Sequence, residues 1–261
     1  MLSLTAAGRA YAGSVRQALT LIDEATRTLR HEPWHLTLSV TPTFASRWIL
    51  PRLPDFTAAH PDIDLRVMAS ERLAQFYQDG VDLAVRFGQP PFGPGLNTTL
   101  LFPLTLTAVT TPLLRQKLGD PQQKANLVHY TLLHDGHNMW PRFLSCCFPT
   151  GAPVIPFNLR FNQTALALDA AINGQGIALT SRHFVQNELA AGRLTEPFCQ
   201  TLPTDAGWYL VSPRRPRQHA PSEQIRTWLM QEADKLNEFF AMHILTDAAL
   251  YRERSFPKGG L

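Results

Sequence analysis

His35-Leu36-Thr37-Leu38-Ser39-Val40-Thr41-Pro42-Thr43-Phe44-Ala45-Ser46-Arg47-Trp48-Ile49-Leu50-Pro51-Arg52-Leu53 changes its apolar period once, and that change decides the fold class. Leu36, Leu38 and Val40 alternate with His35, Thr37, Ser39 and Thr41, the two-residue period of a strand. Pro42 then stands at a first-turn position, where a helix tolerates a missing N–H. Phe44, Trp48, Ile49 and Leu53 follow and point inward from that helix. Pro51 and Pro54 bend or end it. A strand that runs straight into a helix opens a βαβ unit, whose strands pair in parallel.

Downstream the rhythm repeats. Ile63, Leu65 and Val67 alternate as a second strand, and a helix is expected over 71–78. Val81-Asp82-Leu83-Ala84-Val85-Arg86-Phe87 reads as a third strand, ended by Gly88 and the Pro90-Pro91 pair. Leu104-Thr105-Leu106-Thr107-Ala108-Val109-Thr110 is strand-like and leads into a short helix from Pro112. Further strands are expected at 131–134, 159–161, 177–180 and 208–211. Helices are expected at 140–147, at 163–173 with Gly174 ending the last turn, at 182–190 and at 223–240. Two βα blocks joined in the middle, with the chain returning near its end, make two lobes around a cleft.

Upstream, Leu4, Ala7, Tyr11, Val15, Ala18, Ile22, Ala25 and Leu29 step by three or four residues. They lie in a helix expected over 5–30, with Thr5 as its N-cap and Pro33 as its stop. This is a coiled-coil seam, and a lone helix cannot bury such a stripe. Tyr11, Val15, Ala18, Ile22, Ala25 and Leu29 are therefore the expected dimerisation residues.

The chain has 261 residues, 44% of them hydrophobic, enough for one large domain or two small lobes. Its 24 basic and 21 acidic residues leave a net charge of +3, too weak to argue for nucleic-acid binding by itself. Only Arg214, Arg215 and Arg217 cluster, beside Pro213 and Pro216; a solvated turn is favoured there over a phosphate-binding patch. The 3 cysteines, Cys146, Cys147 and Cys199, suit a reducing cytoplasm and form no disulfide framework. No basic n-region followed by an apolar core opens the chain, so no signal peptide is expected. No apolar run approaches the roughly 20 residues that cross a bilayer. The expected location is cytoplasmic, with no membrane partner.

Two strand-to-helix junctions carry the most useful chemistry. Thr41-Pro42-Thr43-Phe44 belongs to lobe one and Phe161-Asn162-Gln163-Thr164 to lobe two. Each helix start offers free backbone N–H groups, a positive dipole end and side-chain hydroxyls or amides. Both junctions lie at C-terminal ends of strands, where open α/β folds bind ligands. A small anion fits between them; ordinary N-capping by Thr43 and Asn162 is the plainer alternative, and the two coexist. Arg86 ends a strand, either to pair a ligand carboxylate or as a solvated rim residue. Ser70 is a weaker ligand candidate, with a turn-forming role favoured. His134 follows a strand and is a candidate cleft wall, with a structural role slightly favoured.

His134-Asp135-Gly136-His137 has too few ligands at a recognisable spacing for a metal site, so none is expected. Cys146 and Cys147 are read as inert thiols. There is no G-x-S-x-G, no HExxH and no phosphate-binding loop, and Gly174-Gln175-Gly176 precedes a strand and lacks a third glycine. Neither an enzyme nor a cofactor is expected.

The same residues carry a resemblance. Leu4-Thr5-Ala6-Ala7-Gly8 resembles the L-T-x-x-G that closes the winged helix-turn-helix of LysR-type transcriptional regulators. The stretch 39–53 is similar to the opening of that family's effector domain. So are Phe56 with His60-Pro61-Asp62-Ile63-Asp64-Leu65, and Gly80-Val81-Asp82-Leu83-Ala84-Val85-Arg86-Phe87-Gly88. Thr131-Leu132-Leu133-His134-Asp135, Ala170-Ala171-Ile172, Gly174-Gln175-Gly176-Ile177-Ala178-Leu179, Gly192-Arg193-Leu194 and Pro197-Phe198 continue the match to about residue 238. The combination most resembles the branch holding regulators of glycine cleavage, β-lactamase and D-serine genes.

The resemblance implies an α/β fold: a two-lobed, periplasmic-binding-protein-like (type II) effector domain preceded by a long coiled-coil linker helix. Residues 1–33 then hold a remnant of the winged helix-turn-helix and the dimerisation helix. Residues 34–240 form the effector domain, with lobe I about 34–103 and 208–240 and lobe II about 104–207. Residues 241–261 are a tail without counterpart. The expected function is effector sensing and dimerisation for a LysR-type regulator, with a small anionic or amino-acid-like ligand in the cleft. The expected partners are a second copy, as dimer or tetramer, and the effector; promoter DNA is a partner only where a helix-turn-helix is supplied, because the sequence begins within its last residues. The alternative is a free-standing cytoplasmic small-molecule binding protein of the same fold.

Overall fold

A computed structural model describes residues 33–73, 76–216 and 219–255, side chains of the last helix as far as Glu238, and twelve positions between 5 and 26. β1 (Trp34–Val40) pairs in parallel with β2 (Ile63–Ala69), in register from Trp34 opposite Ile63 to Val40 opposite Ala69. It also pairs in parallel with β3 (Leu83–Gly88), as a βαβ reading requires. The crossover from β1 to β2 is a composite helix. α1 (Pro42–Phe44) gives way to a π turn (Ala45–Ile49), a 3-10 turn (Leu50–Arg52) and α2 (Leu53–Ala59). Pro51 and Pro54 cannot return an N–H to the preceding turn, so the ladder shifts its spacing instead of continuing. The Leu50 N–H accordingly reaches back to the Ala45 carbonyl.

The helix expected over 71–78 is not formed. Its described residues make bends and turns. Ser70 Oγ accepts from the Arg72 N–H at 3.1 Å, and the Arg72 carbonyl accepts from the Arg86 guanidinium at 3.1 Å. Backbone groups committed outside a helix cannot supply its costly first turn.

The sheet continues through β8 (Leu202–Pro213), β4 (Leu96–Val109), β7 (Ile177–Ser181), β5 (Leu132–His134) and β6 (Asn158–Arg160), giving the order β2-β1-β3-β8-β4-β7-β5-β6. β4 and β8 pair antiparallel from Leu96–Pro213 to Leu106–Leu202, with register shifts between Leu100 and Phe102 and between Pro103 and Thr105. β8 also pairs with β3 through residues 207–211, and β4 with β7 through residues 106–109. Both strands therefore run through both halves of the sheet. Gly207 sits where they are irregular: a Cβ there would lie 2.8 Å from Leu100 Cδ1 and 3.1 Å from the Phe102 carbonyl oxygen. The sequence placed only residues 104–110 and 208–211 in these strands, because Pro103, Pro203 and the polar Asn97-Thr98-Thr99 mask their first halves.

In the second half, Thr111 caps α3 (Pro112–Leu118) by accepting from the Leu114 N–H at 3.2 Å. α4 (Lys124–Leu127), α5 (Trp140–Cys147) and α6 (Thr164–Ile172) follow. The helix expected over 182–190 is a 3-10 turn (Arg182–Phe184) and then α7 (Gln186–Ala190). The last helix, α8 (His219–Ser255), is longer at both ends than expected and lays Ile225, Trp228, Leu229, Ala233 and Leu236 into the main core. The described positions from 7 to 26 that carry an assignment are helical; Tyr11, Val15, Ala18 and Ile22 of the seam are exposed there, as are Leu19 and Leu21. Ala25 and Leu29 lie outside the described residues.

The main core joins the two halves. Phe44, fully buried, stacks on Trp48 at 4.8 Å, lies 5.1 Å from Trp208 and meets Phe184 edge-on at 6.2 Å. A second core around Tyr130, Trp140, Phe143, Phe148 and Phe198 belongs to the second half. Between the halves His183 lies flat on Phe102, 4.0 Å between centroids. Its Nδ1 is 2.9 Å from Ser181 Oγ and its Nε2 is 3.2 Å from Asn237 Oδ1.

Burial pushes the His183 pKa down to about 4; Arg52 lowers it further, and the Asn237 bond opposes the shift. The native state thus binds this proton only near pH 4, whereas the unfolded chain binds it near 6.5. The resulting stability is complete above pH 6.5, is lost as pH falls through the window, and is gone below 4. The loss is roughly 3 kcal/mol over that window. Urea unfolding of the parent and His183→Gln between pH 7.5 and 4.5 checks it: the variant should lose stability less steeply on acidification. Parallel slopes would refute the assignment.

Candidate functional site

The two strand-to-helix junctions meet. Thr41 is the N-cap of α1, its Oγ1 accepting from the Phe44 N–H at 3.4 Å. Thr43 reaches across to the other half, where its Oγ1 accepts from the Ala165 N–H at 3.1 Å in the first turn of α6. Arg47 reinforces the contact, donating to the Ala165 carbonyl at 3.4 Å and pairing with Asp169 and, at 3.8 Å, Glu188. The space reserved by sequence reasoning for an anion at the start of α6 therefore holds the hydroxyl of Thr43. A neutral oxygen satisfies there one of the N–H groups that a helix start leaves open.

Beside this contact lies a pocket between the halves. Phe87, Leu104, Leu106, Met139, Leu179, Phe184 and Trp208 make up its apolar lining. The polar side holds Asp135, His137, Thr164, Thr180 and Ser181. Thr164 donates its hydroxyl to Asp135 Oδ2 at 2.7 Å, and the His137 backbone N–H donates to Asp135 Oδ1 at 3.0 Å. The His137 ring stands edge-on to Phe87 at 5.1 Å. Trp208, 6% exposed, keeps its indole Nε1 without a hydrogen-bond partner among the described residues. No lysine or arginine lines the pocket.

Several expected ligand residues are elsewhere. Phe44 is core, as its ring contacts require. Arg86 is neither a rim residue nor aimed at a ligand. It is buried, and its guanidinium donates to the Ser39 carbonyl at 3.1 Å, Ser39 Oγ at 2.6 Å, and the Val85 and Arg72 carbonyls at 3.0 and 3.1 Å. Burial lowers its pKa, and Glu71 opposes that. Ser70 forms the turn already described. His134 is buried against β6, with Nε2 2.6 Å from Asn158 Oδ1. Asn162 is exposed, and Gln163 occupies the N-cap position of α6 without a side-chain bond. Only Thr43 and Thr164 stay at the inter-lobe contact and pocket. Asp135 was visible in the sequence as the residue after the 131–134 strand; Trp208 was visible only as a strand residue.

Among the described residues no three His, Cys, Asp or Glu side chains come together to hold a metal ion. His134 and His137 diverge, one towards Asn158 and the other towards Phe87. Burial pushes the Cys147 thiol up to about 12, while Cys146 and Cys199 are exposed. Arg214 and Arg215 are exposed beyond β8, and Arg217 lies outside the described residues. No helix among the described residues is long and apolar enough to cross a membrane.

The family profile described as LysR substrate binding domain matches residues 31–234. The glycine cleavage system transcriptional activator of Escherichia coli K12 is 32% identical over 247 residues, covering 92% of this chain and 79% of that protein. The HTH-type transcriptional activator AmpR of Providencia stuartii is 30% identical over 241 residues, covering 90% and 79%. The solved effector domain of AmpR of Pseudomonas aeruginosa aligns with a TM-score of 0.66 at 28% identity, over 80% of this chain and 99% of that one. These relatives are named as regulators, and none supports a free-standing binding protein. The chain belongs to the LysR family, and its two-lobed α/β body is the effector-binding domain of a LysR-type transcriptional regulator.

Proposed function

We propose that the chain senses a small molecule in the pocket between its lobes and couples lobe closure to a self-associating regulator. The observation that carries this reading is the origin of the pocket walls. Phe87 and Trp208 come from one half, Asp135 and Thr164 from the other, beside the Thr43–Ala165 bond. A ligand touching both favours their closed arrangement, because it binds that state better than a separated one. The lobe division about 34–103 with 208–240, against about 104–207, is supported by the register shifts of β4 and β8. An amino-acid-like ligand is favoured over a simple anion, since Thr43 already serves the start of α6 and the acid on the wall is Asp135.

Self-association through the N-terminal seam is supported by the helical, exposed positions Tyr11, Val15, Ala18 and Ile22. The full reading is a cytoplasmic dimer or tetramer that reaches promoter DNA only where a helix-turn-helix is supplied. It contains no catalytic step and needs no cofactor.

A thermal-shift screen of small acids and amino acids tests the sensor. A ligand selective for the native state raises apparent stability, by about 2.7 kcal/mol at a hundredfold excess over Kd. Leu106→Trp fills the pocket and should abolish the shift; a shift that survives places the ligand elsewhere. Thr43→Val keeps the side-chain shape and removes the acceptor across the lobes. It should cost about 1 kcal/mol in urea unfolding, and an unchanged midpoint would mean that water serves the Ala165 N–H equally well. Ile22→Asp desolvates a charge in the seam and should reduce the sedimenting mass. A mutant as heavy as the parent would speak for association through other surfaces.

A further inference from the structure

We infer that the effector of this pocket carries a positively charged nitrogen on a compact apolar body, together with one hydrogen-bond acceptor, and that Asp135 selects the nitrogen. The inference rests on the reading of the inter-lobe pocket as the effector site.

The charge of the walls comes first. Asp135 is the acidic residue among them, and no arginine or lysine accompanies it. The Thr164 hydroxyl and the His137 N–H hold one carboxylate oxygen each. A carboxylate offers about four lone-pair sites, so each oxygen keeps capacity for a further donor. The two protein donors fix the carboxylate and leave it ready to accept from an ammonium, in a bond stronger than a neutral one. A simple organic anion in the same space meets a like charge with no lysine or arginine facing it. At the other place for it, the start of α6, Thr43 Oγ1 already takes the Ala165 N–H.

One further polar group has the opposite sense. Trp208 Nε1–H is a donor only; its residue lines the pocket, while the nitrogen itself is buried and has no partner among the described residues. An oxygen acceptor on a ligand that parts the packing over this nitrogen answers it. Thr180 donates to the Ser181 carbonyl at 3.4 Å and Ser181 Oγ lies 2.9 Å from His183 Nδ1, while Phe87, Leu104, Leu106, Met139, Leu179 and Phe184 take up apolar groups. An ammonium, an acceptor oxygen and an apolar body together describe an apolar amino acid or its amide.

Four probes of similar bulk separate these features: leucine, leucinamide, 3-methylbutylamine and 4-methylpentanoate. Each is titrated calorimetrically into the parent, Asp135→Asn and Leu106→Trp. In the parent, leucinamide and leucine should bind, 3-methylbutylamine more weakly, and 4-methylpentanoate not at all at millimolar concentration. Asp135→Asn should weaken the amines tenfold to a hundredfold, the range expected for one charge-assisted bond. Leu106→Trp should abolish all binding. In the parent alone, 4-methylpentanoate binding as well as leucinamide overturns the ligand class, whatever becomes of the Asp135 variant. So does amine binding indifferent to Asp135→Asn, or no binding by any of the four. Binding undiminished in Leu106→Trp instead overturns the placement of the effector in this pocket. That outcome is separate from the choice between amine and acid.

Discussion

The antiparallel ladder between Leu96–Val109 and Leu202–Pro213 is the constraint on which the rest of the molecule depends. Every other strand of the sheet lies to one side or the other of this pair. β3 leans on the end of β8 that starts at Gly207, and β7 leans on the end of β4 that starts at Leu106. The ladder is irregular between those two attachments, where Pro103 has no N–H to donate and Gly207 admits Leu100 and the Phe102 carbonyl. A pair of continuous strands with a local fault holds two lobes in one sheet while concentrating bending at the fault.

Across that ladder the lobes are joined by rings and by a few polar contacts. Phe44, Phe102, Phe184 and Trp208 come from different elements and pack as one cluster. Such pairs are worth about 0.5–1.5 kcal/mol each beyond the area they bury. Trp208 belongs both to this cluster and to the pocket wall, so a ligand contacting it also touches the packing that joins the lobes. Thr43 and Arg47 add direction to a contact that apolar packing alone would leave free to slide. Packing brings the lobes together, and the hydrogen bonds fix their register.

The buried arginines explain why several plausible ligand residues are structural. Arg86 spends its guanidinium on Ser39, Val85 and Arg72, tying the segment after β2 to the ends of β1 and β3. Arg52 lies over the Trp48 ring at 4.7 Å, donates to the Trp48 carbonyl at 2.8 Å and faces Glu232 at 3.5 Å. Burial lowers its pKa, and Glu232 opposes the shift. A desolvated guanidinium is tolerated when such partners surround it, and one so engaged is not free to receive a ligand.

Much of this was present in the sequence itself. Alternation in 35–41 and the inward face of 44–53 are local properties, and so are the prolines that break the helix and the glycines that end it. They determined the strand–helix rhythm and the two junctions. What they could not determine is which junction atoms touch. Thr43 and Ala165 are 122 positions apart, and no periodicity links them. The first halves of β4 and β8 were hidden for the same reason: their polar and proline residues are poor strand formers, held extended by each other. Arg86 reads identically as a rim or a buried residue until β1 and the 70–73 segment close over it. Asp135 and Trp208 share a pocket lining only in the folded chain. Local chemistry chose the elements; the pairing of β4 with β8 chose their neighbours, because contacts between distant residues are selected by the packing of the whole chain.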